Sequence, residues 1–211
     1  MPAAVTTETD NSRTRLLTAT IDLVRANGYA ATRVDDVCAA AGVTKGSFFH
    51  HFASKEDLAI EAARQWDQGA SHLFSLAEYH RQPDALDRLL GYVAYRKELI
   101  AGDIREWSCY AGTTIQEVHE TNPAIREACA VSIENHLLFL RAMIEDVLRE
   151  HPAGVTADSL ATFMQAVVQG AFVMAKARQD RQAAIDSIDH LYRHVEMLFP
   201  RSTSKKSRKP R

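Results

Sequence analysis

Residues whose side chains can hydrogen-bond to a nucleic-acid duplex are concentrated between Thr44 and Lys55. Lys45 can reach a guanine edge or a phosphate, Ser47 can bond to either, and Gly46 between them leaves room for close approach. The run from Phe48 to Phe52 alternates apolar rings, which suit a core, with polar tips that can touch phosphate. The chemistry expected of this segment is noncovalent recognition of DNA.

Two short helices must position these side chains, and the sequence predicts them over residues 32–41 and 45–51. Gly42 lies in the turn between them, where a left-handed backbone suits glycine. Thr44 is the predicted N-cap of the second helix. Such a pair is a helix-turn-helix, whose second helix enters the major groove with its N-terminal residues leading. A helix-Gly-helix pattern alone also occurs in proteins that bind no DNA, and His50 and His51 could simply be solvated.

The rest of the chain shows helical periodicity, turn residues and no alternating strand pattern, so the fold class expected is all-α with about nine helices. Their expected spans are about 12–27, 32–41, 45–51, 54–79, 83–100, 104–119, 122–150, 156–178 and 180–199. The expected organisation is a disordered N-terminus (1–11), a three-helix DNA-binding domain (12–56), a larger helical domain (57–200) and a disordered basic tail (201–211).

Composition and charge exclude several classes of protein. The formal net charge is −2, but residues 201–211 hold six basic and no acidic residues, so residues 1–200 sum to −8. Neither a run of about 18 apolar residues nor a signal peptide is evident, which predicts a cytoplasmic protein without a membrane partner. Three unpaired cysteines, with no CxxC motif, favour reduced thiols.

Motifs of catalysis or of cofactor binding are not evident in the sequence. It has no GxSxG elbow, no HExxH and no Gly-rich phosphate loop, so we expect no enzyme activity and no cofactor. His190 and His194 have the spacing of a metal pair, but a solvated helix face is the simpler interpretation, and no metal site is expected.

The segment GVTKGSFFHHFASKEDL, within residues 12–60, resembles the DNA-binding domain of the TetR family of transcriptional regulators. The resemblance implies base contacts by Lys45, Gly46 and Ser47 and phosphate contacts by Phe49, His51 and Lys55. The family usually has Tyr at the position of Phe49, so the hydroxyl contact to phosphate is lost here. The complete set of predicted DNA-binding residues is Arg33, Thr44, Lys45, Gly46, Ser47, Phe49, His50, His51 and Lys55.

The resemblance also implies a homodimer formed by the last two helices, and broad apolar stripes on both helices agree with it. Burial of these stripes against the chain's own core is the alternative. The predicted interface residues are Phe163, Val167, Gly170, Ala171, Met174, Ile188, Leu191, Tyr192 and Val195.

A ligand cavity enclosed by the fourth to seventh expected helices is the remaining implication. Aromatic walls with a few polar groups suit a small molecule, although each candidate could equally be a core residue. The predicted ligand-binding residues are Trp66, Phe74, Tyr92, Tyr95, Trp107, Cys109, Tyr110, Gln116, Phe139 and Gln165.

Together these features predict a regulator, most simply a repressor, that leaves a palindromic operator on double-stranded DNA when an effector binds. The effector expected is a small molecule. A reaction of an electrophile or oxidant with Cys109 is the less favoured route, because a reactive thiol needs a neighbouring cation. An all-helical dimeric ligand-binding protein or enzyme without specific DNA binding is the alternative function.

Overall fold

The computed structural model of the chain describes residues 5–201, including their side chains except at residues 5–10, 104 and 105. Within this part every regular element is helical, which confirms the all-α prediction. The α-helices are α1 (Val5–Asn27), α2 (Val34–Ala41), α3 (Lys45–His51), α4 (Lys55–Ser75), α5 (Ala85–Glu98), α6 (Ile104–Trp107), α7 (Tyr110–Val118), α8 (Pro123–Glu150), α9 (Ala157–Arg178) and α10 (Gln182–Leu198), with a 3-10 helix at Glu78–Arg81. All nine expected helices are present, the sixth as the two pieces α6 and α7.

Two helix ends differ from the sequence expectation. Helix α1 begins at Val5, seven residues before Ser12, so residues 5–11 are helical rather than disordered. No glycine or proline lies between Val5 and Ser12 to stop the helix. Helix α4 ends at Ser75 instead of residue 79, because the chain turns there into the 3-10 helix. Residues 1–4 and the tail after Arg201 lie outside the described residues.

The N-terminal helices enclose a small core of their own. Phe48 and Phe52 are 0% and 2% exposed, as expected for core rings, and Cys38 is buried beside Val37. Residues from α7 and from the start of α8 complete this core: Tyr110, Ala111, Val118, Ile125 and Cys129. The N-terminal helical unit is therefore packed against α7 and α8, and α4 is not its only connection to the larger domain.

The C-terminal helices α5, α8, α9 and α10 form the second core, which includes Leu89, Leu140, Val168 and Leu191. Helix α9 is long and apolar enough, by length and composition alone, to cross a membrane. It packs between α8 and α10 and buries Leu160, Met164, Val168 and Phe172 in this core. A core helix passes the same composition test, and packing accounts for the apolar character of the buried face of α9.

The break between α6 and α7 is made by a residue distant in sequence. The buried Arg25 of α1 donates from Nε to the backbone oxygen of Ser108, at 2.6 Å. Cys109 then caps α7, with its Sγ accepting from the Gly112 N–H at 3.3 Å. Because Ser108 bonds to Arg25 rather than continuing the helix, the chain bends where the sequence predicts one continuous helix.

Candidate nucleic-acid interface and ligand cavity

The turn between α2 and α3 orients α3 so that its first turn faces away from the protein. Gly42 has φ +61°, a left-handed conformation that favours glycine, and its N–H donates to the oxygen of Ala39. Thr44 caps α3 by accepting from the Ser47 N–H at 3.1 Å. Since Phe48 anchors the inner side of α3, its first turn faces outward.

The residues predicted to read base edges lie on this outward face. Lys45 and Gly46 are exposed and Ser47 is half-buried. The Lys45 Nζ lies 2.8 Å from Oδ1 of Asp35, and this bond lowers the pKa of the Asp35 carboxyl. An ion pair this exposed contributes little to stability, so Lys45 can exchange Asp35 for DNA at little cost.

Phe49 extends the same face as an apolar tip. It is 57% exposed, and its ring lies edge-on to Phe48 with 5.0 Å between centroids. The exposed His50 lies beside it, and Arg33 is exposed at the N-terminus of α2. Phe49 thus adds one exposed apolar ring to a surface otherwise made of polar side chains.

His51 and Lys55 are more engaged with the protein than the sequence suggested. The His51 Nε2 lies 3.0 Å from Oγ of Ser12, which ties α3 to α1. The Lys55 Nζ lies 4.2 Å from the centroid of the Tyr29 ring and 3.4 Å from the Ala30 oxygen. Burial lowers the pKa of the Lys55 ammonium. Both residues thus hold the N-terminal helices in place.

A cavity of about 380 Å³ lies between α1, α4, α5, α6, α8 and α9. Five of the predicted ligand-binding residues line it: Trp66, Phe74, Trp107, Cys109 and Gln165. Its volume falls within the range of small-molecule sites, roughly 300–1,000 Å³. The cavity is thus large enough for a ligand and carries the aromatic walls that the sequence suggested.

The other five predicted residues lie outside the cavity wall. Tyr110 belongs to the N-terminal core, where its hydroxyl donates to the Ala59 oxygen at 3.0 Å. Gln116 is exposed on α7 and donates to the Gly112 oxygen at 2.8 Å. Their placement was wrong because the break at Ser108 turns α7 toward the DNA-binding helices.

Tyr92, Tyr95 and Phe139 lie behind the cavity rather than in its wall. All three rings pack around Phe74, with centroid distances of 5.6, 5.9 and 6.3 Å. Phe74 therefore separates them from the cavity, and they serve the aromatic core that supports its wall.

The polar wall residues that sequence analysis missed include Arg25, Arg96, His136 and Gln169. Arg25 and His136 follow the apolar residues Ile21 and Ile133 at helical spacing. A polar residue that interrupts an apolar stripe was the available signal. Burial, with a smaller contribution from Arg96, lowers the pKa of His136 to about 3, and its Nε2 lies 2.8 Å from the Tyr92 hydroxyl.

Cys109 is half-buried in the cavity wall beside two cations. The backbone oxygen of Arg25 accepts from the Lys176 Nζ at 3.0 Å, and both cations interact electrostatically with Cys109. Burial lowers the pKa of Lys176. The thiol thus has the cationic neighbours that a reactive cysteine needs.

Helices α9 and α10 leave an apolar face uncovered in the single chain. Phe163 and Met174 are 43% and 44% exposed, Gly170 is exposed, and Val167 and Tyr192 are half-buried. The other four predicted interface residues, Ala171, Ile188, Leu191 and Val195, are at most 3% exposed and pack into the chain's own C-terminal core. Their placement in the interface was wrong because the inner faces of α9 and α10 pack on each other and on α5 and α8.

Comparison with known proteins agrees with both halves of the structure. Residues 16–62 match the family "Bacterial regulatory proteins, tetR family", and residues 92–189 match "Transcriptional regulator LmrA/YxaF-like, C-terminal domain". An uncharacterized HTH-type transcriptional regulator of Mycobacterium tuberculosis is 26% identical, covering 93% of this chain and 98% of the relative.

Two further similarities extend over most of the chain. The HTH-type transcriptional regulator LmrA of Bacillus subtilis is 26% identical and covers 78% of this chain and 86% of its own. A TetR-family regulator from Agrobacterium tumefaciens shares the fold, with a TM-score of 0.78, 22% identity, and coverage of 88% and 98%. The exposed first turn of α3 and the two family matches lead to one conclusion: this chain is a DNA-binding transcriptional regulator of the TetR family.

Proposed function

We propose that this regulator binds a palindromic operator as a homodimer in the cytoplasm and releases it when a small molecule occupies the cavity. One observation carries the proposal: the cavity wall is shared between the DNA-binding helices and the larger domain. Thr18, Ile21 and Arg25 come from α1, whereas Gln165 and Phe172 come from α9. A molecule bound there touches both parts at once.

The DNA contacts follow from exposure on α3. Lys45 and Ser47 read base edges, Gly46 admits the backbone closely, and Phe49 can contact a thymine methyl group. Thr44, Arg33 and His50 lie at the margins of this surface, beside the phosphates. His51 and Lys55 contribute mainly by holding α3 and the loop after α1 in place.

Dimerisation doubles a small contact surface. The exposed face of α9 and α10 around Phe163 and Met174 would pack against the same face of a second copy of the chain. Two recognition helices would then meet half-sites roughly 34–36 Å apart, or a related spacing, on one side of the duplex. The symmetry of the protein would be mirrored in the operator.

Release follows from a shift between two conformations. If the ligand prefers the conformation in which the recognition helices no longer match the half-sites, operator affinity falls in proportion to that preference. Helices α1 and α4 are the connecting elements, because both contribute to the DNA-binding domain and to the cavity wall. Repression is the simplest outcome of such a switch.

A second route is supported by the surroundings of Cys109. The thiol faces the cavity beside Arg25 and Lys176, so an electrophile entering the cavity could alkylate it. Treatment with N-ethylmaleimide distinguishes the routes: an adduct at Cys109 that accompanies loss of operator binding supports covalent sensing. An unmodified Cys109, or an adduct that leaves operator binding intact, rejects it.

The decisive experiment selects bound sequences from a randomised duplex library and then compares two matched variants. Lys45 and Lys97 each form an exposed ion pair with an aspartate, at 2.8 and 2.7 Å, but only Lys45 lies on the DNA surface. Lys45→Gln should weaken binding to the selected site by about 1–3 kcal/mol and change its sequence preference. Lys97→Gln should retain both.

Binding is measured by fluorescence anisotropy at several salt concentrations, because phosphate contacts make it strongly salt-dependent. Equal effects of the two substitutions, or a selected library without a palindrome, would refute the proposed operator recognition. A library in which no sequence is enriched would instead favour an all-helical ligand-binding protein or an enzyme without specific DNA binding.

A further inference from the structure

The cavity contains buried polar atoms that the protein leaves without partners. Four buried side-chain atoms in the described part of the chain have no hydrogen-bond partner, and three belong to residues of the cavity wall. These three are Nε1 of Trp107, Oε1 of Gln165 and Nε2 of Gln169. Trp107 and Gln165 are only 8% and 9% exposed. Since an unmet buried donor or acceptor is costly, this cluster indicates a partner that the ligand supplies.

The same cavity holds one arginine without an acidic partner. The guanidinium carbon of Arg96 lies 5.2 Å from the ring centroid of Phe74 and 5.9 Å from that of Phe172. No ion pair connects Arg96 to an acidic residue within the described ranges. Two aromatic rings thus hold the cation at the wall without neutralising it.

The other charged groups of the wall are already occupied or exposed. Arg25 donates to the Ser108 oxygen and lies 3.7 Å from Asp22, and Asp67 accepts from Asn135 at 2.8 Å. Glu106 is exposed at the surface. Arg96 is therefore the cation of the cavity that is best placed to bind a negatively charged group of a ligand.

We propose that the effector is a hydrophobic carboxylic acid, bound as its carboxylate by Arg96. Arginine suits this role because its planar fork of N–H groups matches a carboxylate. The apolar body would pack between Trp66, Phe74, Trp107 and Phe172, and a polar group on that body would meet the unpartnered atoms of Trp107, Gln165 and Gln169. This inference rests on the proposed function, in which the cavity is the effector site.

The first experiment compares three probes that share one ring system. The probes are 2-naphthoate, its neutral amide 2-naphthamide and 6-hydroxy-2-naphthoate, with affinities measured by titration calorimetry on the full chain. We expect 2-naphthoate to bind at least tenfold more tightly than the amide and the added hydroxyl to improve binding further. Equal affinities for 2-naphthoate and the amide, or no binding of the acid, would overturn the inference.

Two variants locate the carboxylate. Arg96→Gln should bring the ratio of acid to amide affinity close to one, whereas Arg96→Lys should keep part of the preference. Lys97→Gln is the control, because it removes one positive charge from the adjacent residue, which pairs with Asp189 outside the cavity wall. A preference that survives in Arg96→Gln would overturn the assignment of Arg96.

A further arm separates aromatic from aliphatic acids. Decanoate does not absorb where tryptophan emits, and both tryptophans of the chain, Trp66 and Trp107, line the cavity. A change in tryptophan emission with decanoate that requires Arg96 would support the carboxylate site and assign an aliphatic body. Binding of 2-naphthoate that depends on Arg96 but does not change operator affinity would support the carboxylate site and refute ligand-controlled release.

Discussion

His136 is the clearest example of a single residue whose surroundings decide its chemistry. It lies on α8 and packs against the aromatic core, with its ring 4.9 Å from that of Phe74. With a pKa lowered to about 3 by burial, the imidazole is neutral at physiological pH. Its Nε2 can therefore accept the hydrogen bond from Tyr92, at 2.8 Å.

This burial predicts a loss of stability in acid. Between pH 6.5 and 3 the unfolded chain binds a proton at His136 that the folded chain does not, so the free energy of unfolding falls as the pH is lowered through this window. The slope from this residue is at most about 1.4 kcal/mol per pH unit; it falls to about half of that at pH 6.5 and becomes negligible above about pH 7.5. Urea denaturation at a series of pH values measures it.

The matched test replaces the titrating ring by a neutral acceptor. His136→Gln can still accept from Tyr92 but cannot be protonated, so its free energy of unfolding should decline less steeply between pH 6.5 and 4. His72→Gln, at an exposed position of α4, should leave the slope of the wild type unchanged. Parallel curves for the two variants would show that His136 does not carry the acid sensitivity.

At the scale of single residues, the sequence predicted the exposed face of α3 better than the wall of the cavity. Lys45, Ser47 and Phe49 lie within one short helix, so a local pattern suffices to place them together. Gln165 and Arg96 share a wall only because α9 and α5 pack around the same space, and no local pattern contains that information. Tyr92 and Phe139 are aromatic, as a cavity wall requires, but they lie behind Phe74 and not in the wall itself.

The junction of α1 with α6, α7 and α9 is the feature that matters at the scale of elements. Arg25 donates to the Ser108 oxygen, its backbone oxygen accepts from Lys176, and its guanidinium lies 5.0 Å from the centroid of the Trp66 ring. One residue of α1 thus contacts the break between α6 and α7, a tryptophan of α4 and the end of α9. This arrangement couples the cavity wall to the DNA-binding helices.

Removing the guanidinium should destabilise this junction. Arg25→Met keeps an apolar stem but leaves the Ser108 oxygen without its donor, which should lower the free energy of unfolding by about 1–3 kcal/mol. Hydrogen exchange in α7 should accelerate, because the bond that fixes its start is lost. Arg178→Met, at an exposed arginine at the end of α9, is the control and should change neither quantity. Equal behaviour of the two variants would mean that Arg25 does not fix the junction.

The same junction explains where element prediction failed. Residues 104–119 have continuous helical periodicity, and nothing local marks Ser108 as a break. The bond that interrupts them comes from Arg25, 83 residues earlier in the chain. By contrast, the ends of α3 and α8 follow from caps at Thr44 and Asn122, which are local and were predicted correctly.

At the scale of the whole molecule, the two proposed interaction surfaces lie on different parts of the chain. The exposed first turn of α3 lies on a helix whose inner side packs in the N-terminal core, whereas the exposed apolar residues of α9 and α10 lie on helices whose inner faces pack in the C-terminal core. Residues 12–56 hold six basic and four acidic residues, although residues 1–200 as a whole carry a formal net charge of −8. An acidic body behind a locally basic domain favours approach to DNA by that domain alone.

The proposed dimer depends on the exposed apolar face of α9 and α10. Phe163 is 43% exposed, and its ring lies 5.1 Å from that of His194 on α10, so it belongs to the uncovered face of both helices. Phe163→Glu places one charge per protomer on an apolar interface. Each copy of the substitution should weaken the free energy of dimerisation by an amount on the order of 2 kcal/mol. We expect dissociation to monomers in analytical ultracentrifugation and, because a monomer holds one half-site, a loss of operator affinity of at least tenfold.

Leu76→Glu is the control for adding a negative charge and removing an exposed apolar side chain. Leu76 is 68% exposed but directly follows α4, so it does not belong to the face of α9 and α10. It should sediment and bind the operator like the wild type. A Phe163→Glu protein that remains dimeric would place the interface elsewhere. A monomeric variant that binds the full operator as tightly as the wild type would instead refute the requirement for two recognition helices, since paired half-sites can add affinity only while the two protomers stay joined.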